Sequence, residues 1–254
     1  FDISDTTRFA LKQAVEYWAK ERFVPEVVKE MTPNIQLILA LTERYAAIVM
    51  NPPYMGGGNM NEVLSKYVKK NYEEGKGDLA TVFVKMMGER TQEKGLYGYI
   101  IPPSWMFLST FEGLRKSLLS NQSIQSLLHL SRGVFGADFG SSAAVIKNYE
   151  DQQAKGTYFR LVERTFQEFD QNHLRMLFEQ TLANHDFKYY FKDYDKEVTE
   201  LRYSENGNKI YYSDISQQNF NKIPGSPIGY WVSSQMINNF KNVLLGDCAN
   251  PKAG

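Results

Sequence analysis

A chain of 254 residues, 43% of them hydrophobic, can bury one large core or two small ones, which excludes disorder as its dominant state. Its 29 basic and 29 acidic side chains cancel, so no global charge draws it to nucleic acid or membrane, although a local basic face stays open. Cys248 is the single cysteine, which excludes an internal disulfide framework and a cysteine-built zinc site and suits a reducing cytoplasm. No run reaches the roughly 18 to 20 apolar residues of a membrane span, so no membrane partner is expected. The start, FDISDTTRF, lacks the order of a signal peptide and the end, GDCANPKAG, stops on turn formers. An excised piece of a longer protein is the expectation.

Residues 6–31 read as a helix, with Phe9, Val15, Trp18, Ala19 and Phe23 near helical spacing, Ser4 or Asp5 as cap and Pro33 marking the end. A shorter helix follows from Ile35 to Glu43. Tyr45 to Met50 is a compact apolar run with β-branched Ile48 and Val49, stopped by Asn51-Pro52, and reads as a buried parallel strand. Helices are predicted at Asn61 to Tyr72 and, capped by Asp78, at Leu79 to Gln92. A second strand at Tyr97 to Ile101 meets another proline pair, Pro102-Pro103, and a helix spans Phe111 to Leu119. This alternation predicts an α/β fold. Residues 124–131 and 141–150 form two further strands joined by the short RGVFGADFG loop, and so an antiparallel hairpin.

From about 151 the chain becomes polar, aromatic and weakly periodic. Elements predicted there are a strand at Tyr158 to Val162, a helix at Gln167 to Asn184, short strands around Lys209 to Ser213, a loop leading into a short strand over 223–233 and a helix at Ser233 to Asn242.

The stretch AIVMNPPYMGGG, residues 47–58, carries the chemistry. Two prolines fix their own φ and restrict their neighbours, so the corner after the strand is rigid and presents its acceptors in fixed positions. The side-chain carbonyl of Asn51 and the backbone carbonyl of Pro52 can accept both hydrogens of one NH₂ group. Two acceptors on a planar amine favour its tetrahedral form and hold the nitrogen lone pair toward an electrophile. Tyr54 can stack on the planar group. Gly56 to Gly58, with no Gly-Lys-Ser/Thr after them, suit a hinge better than a phosphate cradle. Lys66, Lys69 and Lys70 read as a solvated face, and His129, His173 and His185 lack ligand spacing, so no metal site is expected.

MNPPY after a strand resembles the [DNS]PP[YF] motif of the amino-group DNA methyltransferases. The order around it is similar too: GDLA at 77–80, GYIIPPSW at 98–105, FEGLRKSLL at 111–119 and HLSRGVF at 129–135. The last two look like the PglX-type adenine methyltransferases of BREX phage-defence systems and related type II restriction-modification enzymes. The resemblance is close over 45–148 and extends to IPGSPIGYWVS at 223–233 and to 245–254. It implies part of a seven-stranded, Rossmann-like α/β sheet with a terminal antiparallel hairpin and an α+β extension. Residues 1–150 would be the C-terminal half of a catalytic domain, and 151–254 an extension toward a target-recognition part.

What the resemblance implies is a site-specific, S-adenosylmethionine-dependent adenine-N6 methyltransferase of restriction-modification or phage defence, acting in the cytoplasm. Its partners would be double-stranded DNA with a flipped adenine and other restriction or defence subunits. Asn51 and Pro52 would hold N6, Pro53 would complete the rigid corner, Tyr54 would stack on the base, and Phe135 would face its other side. Asp78 and Leu79 would line the cofactor pocket. One departure matters: the family's glycine-rich cofactor loop lies upstream of this strand, whereas the first glycine here is Gly56. Most of the cofactor site is therefore expected to be missing, and this piece alone to be inactive. Methylation of a glutamine side-chain amide and a non-catalytic DNA- or protein-binding module are the alternative readings.

Overall fold

The structure, a computed structural model, describes residues 3–134, 139–164, 168–194 and 200–240. It divides into two compact units, one up to Ala46 and one from Ala47 onward.

The first unit holds α1 (Asp5–Lys20) and α2 (Glu26–Thr42). The expected single helix over 6–31 is broken, because Pro25 stands at the N-cap of α2 and the chain between is non-helical. Pro33, expected to end a helix, lies inside α2. Ser4 caps α1 by accepting from the Thr7 amide at 3.1 Å. Arg8 donates to the Thr42 carbonyl at 2.7 Å, and Lys12 pairs with Glu43 at 2.5 Å, fastening the two helices. Phe9, in α1, and Phe23, between the two helices, are exposed.

The second unit is built on a six-stranded sheet of order β1-β2-β4-β3-β5-β8. The strands are β1 (Tyr45–Met50, of which Ala47 onward belongs to this unit), β2 (Thr91–Ile101), β3 (Ser123–Leu130), β4 (Ser141–Lys147), β5 (Lys155–Arg160) and β8 (Tyr211–Ser216). The helices α3 (Glu62–Asn71), α4 (Leu79–Arg90) and α5 (Glu112–Asn121) link its first half, as the sequence predicts. Asn61 and Asp78 cap α3 and α4 through side-chain oxygens. α4 runs directly into β2, which starts six residues earlier than expected; within the polar TQEKGL segment Leu96 pairs with Lys147, and Lys94 and Gly95 exchange backbone hydrogen bonds with Asn148. The expected hairpin forms: β3 and β4 are antiparallel, with Leu127 opposite Ala144 and Leu130 opposite Ser141. β4 also pairs antiparallel with β2, so the returning strand sits between β2 and β3. β5 runs parallel to β3, and β8 antiparallel to β5.

Side-chain alternation sets the core. Tyr97, Tyr99 and Ile101 of β2, two residues apart, are buried beside Ile146 of β4, Leu127 of β3 and Leu114 and Leu118 of α5. β1 was expected to be buried, but it is the edge strand: Ile48 and Met50 pack on this core while Val49 is 88% exposed. A second core joins Phe159 and Leu161 to Leu174 and Leu177 of α6 (Gln171–Ala183), to Tyr189 of β6 (Lys188–Tyr189) and to Ile210, just after β7 (Asn208–Lys209). The predicted helix began at Gln167, which lies outside the described residues. Residues 223–233 form turns rather than the expected short strand, between α7 (Gln218–Asn221) and α8 (Ser234–Asn239).

His129, near the end of β3, is 6% exposed between Phe107 and Trp231, and neither ring nitrogen has a hydrogen-bond partner among the described residues. Arg160 lies over Trp231, 4.7 Å from its ring centre. Burial, and then the Arg160 cation, push the imidazole from 6.5 down to about 4. The unfolded chain therefore binds a proton that the folded one refuses, and stability falls as pH drops from 6.5 toward 4. The expected loss over that window is about 3 kcal/mol. Urea titrations at stepped pH should show it, and His129→Phe should remove about that share of the acid sensitivity.

Candidate active site

β1 delivers Asn51 to the sheet edge as an exposed side chain, with Pro52 buried, Pro53 exposed and Tyr54 half-buried against the main core. The Tyr54 hydroxyl lies 2.7 Å from Asn51 Oδ1 and 3.0 Å from the Ile100 carbonyl oxygen at the end of β2. Burial raises its pKa, so the phenol stays protonated at neutral pH. The four corner residues are thus brought together, and tied to the neighbouring strand.

Behind the corner, the glycine loop is fastened rather than open. Asp78 Oδ1 accepts from the Ala80 amide at 2.8 Å, capping α4, and from the Met55 amide at 3.3 Å. The Leu79 amide donates to the Met55 carbonyl and the Gly57 amide to the Gly77 carbonyl, both at 2.9 Å. Of the three glycines only Gly57 needs its bare Cα: a Cβ there would stand 2.8 Å from the Lys76 carbonyl oxygen, whereas Gly56 and Gly58 have open space. A two-point backbone clamp explains why the segment does not have the form of a free hinge.

The second proline pair ends β2 and leads into a 3₁₀ turn, Pro103–Met106. Trp105, 1% exposed, donates through Nε1 to Ser142 Oγ at 2.9 Å, and that hydroxyl donates to the Ile101 carbonyl at 3.1 Å. Both terminal carbonyls of β2 are thereby engaged, Ile100 by Tyr54 and Ile101 by Ser142. Phe139, just before β4, meets Tyr54 edge-on, with ring centres 5.7 Å apart and planes at 66°. Phe135, the aromatic singled out in the sequence, lies outside the described residues. Sequence reasoning passed over Phe139 and Ser142. The signal for Phe139 was available as the second phenylalanine of RGVFGADFG, adjacent to the strand.

Arg115 of α5 is 1% exposed. Its guanidinium donates to the carbonyls of Trp105 and Leu108 at 2.8 and 2.7 Å, and to those of Gly225 and Ser226, the shortest being 2.7 Å to Gly225. Gly225 and Ser226 have positive φ, 78° and 49°, a pair of left-handed residues that brings both carbonyls onto one cation. The 223–231 turn is thereby held against the segment that follows β2.

The Eco57I restriction-modification methylase family matches residues 5–135. This chain belongs to that family. The matched part of this Eco57I-family chain includes the corner, Asp78 and Arg115, and stops short of Phe139 and Ser142. The chain is 34% identical over 221 residues to the adenine-specific methyltransferase BrxX of Escherichia coli O9:H4 (strain HS), covering 85% of this chain and 16% of that protein. It is also 34% identical over 212 residues to the adenine-specific methyltransferase PglX of Lacticaseibacillus casei (strain Zhang), covering 82% and 15%. The chain thus spans about one sixth of the length of these curated relatives. Among solved structures it is similar to the type I restriction-modification methyltransferase subunit from Streptococcus thermophilus, at 11% identity and TM-score 0.46 over 72% of this chain and 37% of the other. No helix among the described residues is long and apolar enough to cross a membrane.

Of the two residues expected to line the cofactor pocket, Asp78 uses one carboxylate oxygen and Leu79 its backbone amide to hold the corner loop to α4.

Proposed function

We propose that this chain carries the substrate-amine corner of an adenine-N6 DNA methyltransferase, whose intact parent uses S-adenosylmethionine and acts on duplex DNA in restriction-modification or phage defence. The observation that carries this reading is an exposed Asn51 at a strand end, in a rigid proline corner whose Tyr54 is fixed by its hydroxyl. Asn51 Oδ1 and the Pro52 carbonyl are assigned to the two N6 hydrogens, Pro53 to the rigidity of the corner, and the Tyr54 ring to stacking on an adenine turned out of the duplex. Phe135, outside the described residues, keeps its proposed place on the opposite side of that base, and Phe139, packed edge-on against Tyr54, steadies the stacking ring. The names of BrxX and PglX as adenine-specific methyltransferases support the choice of base. The BREX-type resemblance supports defence subunits as partners, and membership of a restriction-modification family suits a cytoplasmic enzyme.

Asp78 is reassigned from a cofactor ligand to a latch on the corner, and Leu79 joins it through its backbone. The rest of the cofactor site is assigned to parts of the parent outside this chain. Residues 1–150 are assigned to the catalytic part and 151–254 to an extension toward target recognition. Support comes from a second core drawn almost wholly from residues after 158. Methyl-transfer assays of the parent with an adenine-containing duplex and a glutamine-containing peptide side by side test the proposal. Label should enter adenine N6 of the duplex and not the peptide; label in the peptide alone would overturn it.

A further inference from the structure

The contact between Asn51 and Tyr54 goes further, in an inference that rests on the function proposed above. A phenol has one proton, yet the Tyr54 oxygen faces two acceptors as placed, Asn51 Oδ1 at 2.7 Å and the Ile100 carbonyl at 3.0 Å. One proton cannot make two good bonds. The two ends of an asparagine amide have nearly the same shape, and which is oxygen is decided by the hydrogen bonds each can make. With the amide turned so that Nδ2 faces the phenol, every group is satisfied: Nδ2–H donates to the Tyr54 oxygen, and Tyr54 O–H donates to Ile100. The side-chain oxygen of Asn51 then faces away from Tyr54.

We propose that the Tyr54 hydroxyl is a positioning group that sets the Asn51 amide with its nitrogen inward and its carbonyl oxygen outward, toward an incoming exocyclic amine. The reverse orientation would present an NH₂ group to an NH₂ group, two sets of donors with no acceptor between them. The relay has a firm anchor, because the Tyr54 ring packs on the main core and Ile100 is held in the β2–β4 ladder opposite Ala143. Its donor also persists, since burial keeps the phenol protonated. This role is separate from stacking, which phenylalanine performs equally well.

Two measurements test it. The first is a double-mutant cycle in the intact parent. Tyr54→Phe keeps the ring and should lower kcat about tenfold, the scale of one net hydrogen bond, with KM for duplex changed less than about twofold. In an Asn51→Asp background, where both carboxylate oxygens are acceptors and no orientation is left to set, the same change should alter kcat less than about twofold. An equal penalty in both backgrounds, or none with Asn51, overturns the proposal. The second needs no turnover and decides alone if the Asn51→Asp parent is inactive. In nitrogen-15 spectra of this chain, one Asn51 side-chain N–H should be shifted downfield and protected from exchange, and both effects should vanish in Tyr54→Phe. Two unshifted, fast-exchanging protons in the unmutated chain would refute it. Because that signature does not depend on adenine methylation, loss of the functional reading and loss of the orientation remain distinguishable.

Discussion

Asn51→Ala in the intact parent is expected to lower methyl transfer to duplex DNA about 10² to 10³-fold, the scale on which single transition-state hydrogen-bonding groups act. The proposed role places the Asn51 oxygen on an amine hydrogen whose polarity rises as the nitrogen becomes tetrahedral, so the loss belongs in kcat. Duplex affinity should stay within about threefold, because one uncharged side chain adds nothing to phosphate contacts. Stability should change by less than about 0.5 kcal/mol, since Asn51 is exposed and caps no helix. Single-turnover methylation, duplex titration and urea unfolding on the same preparation separate these quantities. Turnover within tenfold of the parent would remove Asn51 from the assigned role.

Arg115→Leu is the second large effect, and it acts on the fold. The guanidinium is the shared partner of four carbonyls, those of Trp105, Leu108, Gly225 and Ser226. Leucine fills much of the volume but satisfies none of them, and each buried carbonyl left without a donor costs roughly 1 to 3 kcal/mol before relaxation. The 223–231 turn can move toward water and recover part of that, so a net loss of about 3 to 5 kcal/mol is expected in urea unfolding followed by tryptophan fluorescence. Arg115→Lys should recover only a minority of it, because an ammonium has three donors in a different geometry. Hydrogen exchange should speed up most at the Ile228 amide, which bonds the Met106 carbonyl in the same turn contact. A loss under 1 kcal/mol would show that Arg115 is not what holds the turn.

The helices and strands from Tyr45 to Lys147 are legible in the sequence because their apolar positions repeat at periods the backbone obeys. Asp78 and Asn61 announce their helices by being short acceptors just before an apolar face. Pro25 was the stronger signal in the first unit: it restricts the residue before it and cannot extend a helix from behind, whereas Pro33 is tolerated within α2. The corner is legible as local chemistry, since prolines act through their own rings. What is not legible is who touches it. Phe139, Ser142 and Ile100 arrive through sheet order, and nothing in a one-dimensional pattern says that β4 returns between β2 and β3. The Arg115 cage likewise joins segments about 110 residues apart, and only tertiary packing makes a charged residue of an amphipathic helix one of the most buried in the chain.

That sheet order also has a consequence in time. Strands β3 and β4 can pair as soon as both exist, because only the short segment between Leu130 and Ser141 must close. β2 must reach back across α5 and the whole hairpin to set Ile101 against Ser142, a much longer loop whose closure is entropically dearer and slower. β1 can then add only at the outer edge of β2. The proline corner therefore leaves the ribosome before every other strand that will fix it. Until β2 is seated there is no Ile100 carbonyl in place to receive the Tyr54 hydroxyl.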